Sequence, residues 1–180
     1  LAKGTANQKL SMNSAANAVE WQTAAASKGP LQRKSQILTV GANGSTTVPS
    51  NDTKPQITEG VEFFTLACTA AASTNILTFD LDVNVSSSVG GADVFVSIYK
   101  NSTADPIAST MYEAANGNDF PEKVSFHFEQ VAADTSANTY TVRIGGHTGT
   151  TGINQIQSGN ARRGGGAVTS TFIIEEYLPE

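Results

Sequence analysis

The chain has 180 residues, with 11 Lys and Arg, 16 Asp and Glu, a net charge of −5, and charged residues at only 15%. That fraction lies below the roughly 25% of an average globular domain, and the small polar residues, Ala and Gly that replace it suit short strands and turns better than charged-surface helices. No run of about 18 apolar residues is present, so no membrane insertion is expected. The single cysteine, Cys68, excludes an intrachain disulfide and any Cys-based zinc site.

Charge is distributed unevenly. Residues 1–36 hold five bases (Lys3, Lys9, Lys28, Arg33, Lys34) against Glu20 alone, giving +4, whereas the other 6 bases and 15 acids give −9 for residues 37–180. A basic arm on an acidic body can be steered to an acidic protein surface or a polyanion. Its bases are dispersed and lack interleaved aromatics, so no nucleic-acid partner is expected. The opening Leu1-Ala2-Lys3-Gly4 has no apolar stretch of signal-peptide type.

In chain order, Leu10 and Met12 alternate with polar neighbours, as do Val19 and Trp21, which predicts two short strands around an Asn/Ala/Ser turn. Two strands cannot cover each other's apolar faces, so this hairpin should need a partner surface. Gly29-Pro30 ends any helix begun at Ala24-Ala25-Ala26, and residues 41–55 read as a polar connection rich in turn residues. From about residue 56 apolar stretches of strand length recur. Val61 to Cys68 is a candidate strand buried on both faces, with Cys68 a small buried hydrophobe. Leu77, Phe79, Leu81, Val83 and Val85 then alternate with polar residues without a break. Val94-Val96-Ile98, a weaker Ile107–Tyr112, Val124-Phe126-Phe128, Tyr140-Val142-Ile144 and Val168–Leu178 follow, separated by turn clusters. Seven or eight strands without helical crossovers predict an all-β fold, an antiparallel jelly-roll-like β-sandwich with an extended N-terminal arm. The expected organisation is an attachment and trimerisation arm over 1–36, a linker over 37–55 and the sandwich over 56–180. An immunoglobulin-like sandwich is the structural alternative, though its usual Cys pair is missing.

Catalytic chemistry finds no constellation. Asp80-Leu81-Asp82-Val83-Asn84 opens like a calcium loop, but Val85 stands where the sharp turn needs Gly and Gly91 where an acid belongs. His127 falls on the polar face of a strand. Neither a G-x-S-x-G elbow nor a phosphate-cradling glycine loop occurs. Glu175 and Glu176, adjacent on a strand, would face opposite ways, and the i, i+2 pair Asp80/Asp82 reads as a solvated face. No enzyme activity, metal or cofactor is expected. His147, in Gly145-Gly146-His147-Thr148-Gly149, and Arg162-Arg163 before Gly164-Gly165-Gly166 are candidate receptor-loop residues, because loops carry function more often than strands.

The segment Gly4-Thr5-Ala6-Asn7-Gln8-Lys9-Leu10, followed by a small-residue turn and closing on Glu20-Trp21, resembles a short pattern of tailed-bacteriophage fibre and head-fibre proteins. It covers about 20 of the 180 residues. The turn Asn160 to Gly166 before a final strand ending Glu175-Glu176-Tyr177 is similar to the trimeric jelly-roll knobs of phage particles. The resemblance implies a homotrimeric, non-catalytic virion structural protein on the virion surface, assembled in the host cytoplasm. Its role would be capsid decoration (a cement protein) or a head fibre, with the major capsid protein or a neighbouring virion protein as partner. The alternative is a receptor-binding tail-fibre tip for host attachment through a bacterial surface glycan. Arm contacts are expected from Lys3, Lys9, Leu10, Met12, Val19, Trp21, Arg33 and Lys34, with the four bases meeting acidic surface.

Overall fold

The computed structural model describes residues 8–12, 18–23, 29–115, 121–157, 161, 162 and 164–179. These residues form twelve strands: β1 (Gln8–Met12), β2 (Val19–Thr23), β3 (Gln32–Leu38), β4 (Ala42–Gly44), β5 (Val61–Thr69), β6 (Ile76–Ser87), β7 (Asp93–Lys100), β8 (Ala108–Glu113), β9 (Glu122–Val131), β10 (Ala137–Gly146), β11 (Thr151–Ile153) and β12 (Ser170–Tyr177). All pairings are antiparallel. The fold is an all-β, jelly-roll-like sandwich of a four-stranded sheet, β5-β10-β7-β8, on a six-stranded one, with β1 and β2 as a separate two-stranded sheet.

The uninterrupted alternation in β6 organises the core. Leu77, Phe79, Leu81, Val83 and Val85 are each at most 2% exposed and line the inner face of the larger sheet. β9 runs along one side of β6 from Ile76 to Val85, while β12 covers Ile76–Asp82 and β11 takes over at Val85–Ser87. The facing sheet contributes Val94, Val96 and Ile98 from β7 and Tyr140, Val142 and Ile144 from β10, all buried. Phe79 centres an aromatic group, its ring 5.0 Å from Tyr140 and 6.1 Å from Phe128, and Phe64 meets Phe172 edge-on at 6.1 Å. Such offset and edge contacts add to the area buried.

β5 departs from its expectation. Phe64 and Cys68 are buried, but Phe63 and Leu66 are only partly so, and Glu62, Thr65, Ala67 and Thr69 face solvent. β5 is an edge strand with one core face. The run Phe63-Phe64 arises because pairing with β10 slips between Val142 and Arg143, so that Phe63 is an extra, bulged residue.

The sandwich also reaches back to Gln32, ahead of the boundaries expected near residues 36 and 55. β3 pairs along β12 from Gln32 to Leu38, and β4 extends β11. After β4, residues 45–60 lie across the outer face of the four-stranded sheet. Val48 and Pro55 are buried there, and Tyr99, on that outer face, is 1% exposed. Val48 N donates to Gly146 O, Ile57 N to Ala104 O, and Lys54 pairs with Asp105 at 3.0 Å. This strap seats only because Gly145 lacks a side chain: a Cβ there would lie 2.8 Å from Gly60 Cα and 3.0 Å from Thr46 O.

Candidate functional site

The β1–β2 hairpin is built as the sequence predicts. Its register sets Leu10 opposite Trp21 and Met12 opposite Val19. Residues two apart on one strand share a face, and directly opposed residues of an antiparallel pair share it too. The four apolar side chains therefore form one patch, with exposures of 50% for Leu10 and Met12, 41% for Val19 and 36% for Trp21. Lys9, Ser11 and Glu20 alternate with these residues and take the other face, and an exposed apolar patch on one face is the signature of an interaction surface.

The arm bases fall in different parts of the fold. Lys9 sits on β1 and is exposed; Lys3 lies outside the described residues. Arg33 and Lys34 belong to β3 and thus to the sandwich. Arg33 Nε is 3.3 Å from Glu175 Oε1, so it meets an acid of its own chain. Lys34 lies on the opposite side of β3, on the side of Gln32 and Gln36.

The candidate receptor-loop residues hold backbone. His147 Nδ1 accepts from Asp93 N at 2.9 Å while His147 N donates to Asp93 O at 2.9 Å, which ties the loop after β10 to the start of β7. Accepting at Nδ1 leaves the proton of a neutral ring on Nε2. Arg162 Nη1 donates to Thr39 O at 3.1 Å. Arg163 lies outside the described residues. Beside Arg162 is a buried polar junction: Asn154 Nδ2 donates to Leu38 O at 2.8 Å, and Ser170 Oγ to Asn154 Oδ1 at 2.7 Å. It stitches the place where β12 gives way to β11 along β6.

On the outer face of the larger sheet, Asp80 Oδ1 is 2.6 Å from His127 Nδ1 and Asp82 Oδ2 is 2.9 Å from Lys123 Nζ. These are exposed cross-strand pairs between β6 and β9, worth about 0–1 kcal/mol each. Among the described residues no group of three or more His, Cys, Asp or Glu has the geometry of a metal site.

Of the adjacent pair Glu175-Glu176, Glu176 is the carboxylate turned into the core. It occupies the core-facing row of β12 after Phe172 and Ile174 and is 0% exposed. Its carboxylate accepts from Gln32 Nε2 at 2.5 Å, Asn75 Nδ2 at 2.6 Å and Ala71 N at 2.7 Å. Burial pushes its pKa up, but these donors and the backbone of Ala72 outweigh burial and hold it below the ordinary value of 4.5. Adjacent residues of a strand face opposite sides, so one member of Glu175-Glu176 had to point inward; the remaining signal is the two inward apolar residues before it.

No family model matches the chain, and no curated protein does. Among solved structures it is similar to a subunit of Bacillus endospore appendages, described as disulfide-linked pili, at 11% identity and a TM-score of 0.35, covering 88% of this chain and 99% of that one. It is also similar to VP2 of the infectious bursal disease virus subviral particle, at 13% identity and a TM-score of 0.39, over 91% of this chain and 41% of that one. A third is the EclA C-terminal domain, a sugar-binding protein, at 14% identity and a TM-score of 0.32, over 72% and 86%. Viral capsid, pilus and sugar-binding β-rich proteins thus all stand among the neighbours, and at these scores none transfers a function.

Proposed function

We propose that this chain is a non-enzymatic structural protein of a phage virion, a homotrimer that decorates the capsid or forms a head fibre and attaches through its N-terminal hairpin. The observation that carries this reading is the exposed quartet Leu10, Met12, Val19 and Trp21 on a two-stranded sheet separate from both sheets of the sandwich. Such a sheet cannot bury its own apolar face, and company from other copies or from a shell protein orders it. Ahead of β3 the chain still carries Lys3, Lys9 and Lys28 against Glu20 alone, an excess of positive charge that complements acidic surfaces.

The experiment is native mass spectrometry of the whole chain followed by localisation of its density on the particle. A trimer on capsid axes, with occupancy reduced by Trp21→Ala, supports the reading. A monomer whose particle occupancy is indifferent to that substitution overturns it. Density at a tail tip, with loop-dependent binding on a glycan array, points to the receptor-binding alternative.

A further inference from the structure

The two long sides of the sandwich are finished differently. On one, β3 and β5 meet: Gln36 Oε1 accepts from Thr65 N at 2.9 Å and Gln32 Nε2 donates to Thr69 O at 2.7 Å, so the free edge of β5 is occupied by side-chain amides. On the other, β9 is a ten-residue edge strand whose one partner strand among the described residues is β6. Among the described residues its outer edge takes no backbone hydrogen bond. Its inward row, Val124, Phe126 and Phe128, is only partly buried. Edges of this length are normally blunted by charge or covered.

The charges on β9 do not blunt it against itself. We infer that β9 is a second self-interface, which pairs antiparallel with β9 of another copy about a two-fold axis at Phe126 and joins the two larger sheets into one. In that register Phe126 meets Phe126, Val124 meets Phe128, Ser125 meets His127, and Lys123 meets Glu129, each of the last three occurring twice. Opposed residues of an antiparallel pair lie on the same face, so the apolar pairs fall together on the core side and the ion pairs on the solvent side. Lys123, already 2.9 Å from Asp82, would lie between two carboxylates. A register moved by two residues sets Lys123 opposite Val131 or His127 and loses both ion pairs, so charge selects the alignment. The contact is independent of the hairpin, and in a trimeric particle it would link trimers in pairs.

The test is sedimentation equilibrium of the full chain at low salt, with Lys123→Glu, Glu129→Lys and the double reversal, each verified as folded by circular dichroism. Each single reversal places two like-charge pairs across the axis and should weaken the two-fold association about tenfold. The double reversal restores opposite charges and should restore the wild-type constant. Single variants that associate like wild type, a double variant that stays weak, or a wild-type chain without two-fold association overturns the inference. Trp21→Ala leaves this association unchanged, which separates it from failure of the hairpin reading.

Discussion

Replacing Glu176 tests whether a buried, fully hydrogen-bonded carboxylate locks the end of the sandwich. Its oxygens hold together three parts of the chain: β3 through Gln32, the β5–β6 turn through Ala71 and Asn75, and β12 itself. In Glu176→Ala these donors lose their acceptor in a site that is 0% exposed in the native chain. Each orphaned donor costs about 1–3 kcal/mol, tempered by partial relaxation and water entry, so a total of about 3–5 kcal/mol is expected. For a domain of this size that lowers Tm by about 10 °C. Glu176→Gln keeps one acceptor for Ala71 and Asn75 but turns an amide N–H toward Gln32 Nε2, and should cost about 1–2 kcal/mol. The pH dependence gives the sign. Because the folded pKa is depressed, the carboxylate's contribution is complete above the ordinary value of about 4.5 and is lost as pH falls below it. The stability gap between wild type and Glu176→Gln should therefore narrow from pH 6 to pH 3 in urea titrations. A Glu176→Ala loss under 1 kcal/mol, or a gap that widens in acid, refutes the reasoning.

Other outcomes follow from the same packing. Trp21→Ala should leave the Tm of the sandwich within about 1 °C, since surface substitutions away from the core have small effects, while particle occupancy measured by quantitative gel falls. Gly145→Ala should destabilise by about 1–3 kcal/mol in chemical denaturation, because its Cβ collides with the backbone of the 45–60 strap. Tyr140→Phe should be neutral or stabilising, because the Tyr140 hydroxyl is buried without a hydrogen-bond partner and removing it relieves a desolvation cost; a loss above 1 kcal/mol contradicts this. Burial raises the phenols of Tyr99 and Tyr140 to about 12. Stability should hold below pH 10 and fall from there through pH 12, as unfolding releases groups that ionise more readily; circular dichroism against pH reads it.

The regular strands were legible in the sequence because alternation is a local property. Leu77 to Val85 shows period two wherever it is placed, and one buried face is all such a strand needs. The hairpin around Leu10 and Trp21 was legible for the same reason. β3 was not. Its inward positions are Gln32, Lys34, Gln36 and Leu38, while Ile37, which the pattern would bury, is 59% exposed. It is a strand because β12 offers a ladder and because Gln32 and Gln36 reach the edge of β5, partners that lie far along the chain. β4 and β11, three residues each, are likewise created by pairing. The arm bases show the same division: composition set their excess, but only pairing placed Arg33 on Glu175.

Composition and periodicity by themselves determined an all-β, one-faced set of strands with an apolar hairpin ahead of it, since both depend on residues within a few positions of each other. The tertiary structure alone decided which edges close, that residues 45–60 cover a sheet, and that Glu176 rather than Glu175 lies inside. Those outcomes depend on hydrogen-bond donors and backbone approaches from segments tens of residues away, and no local pattern records which donors will arrive.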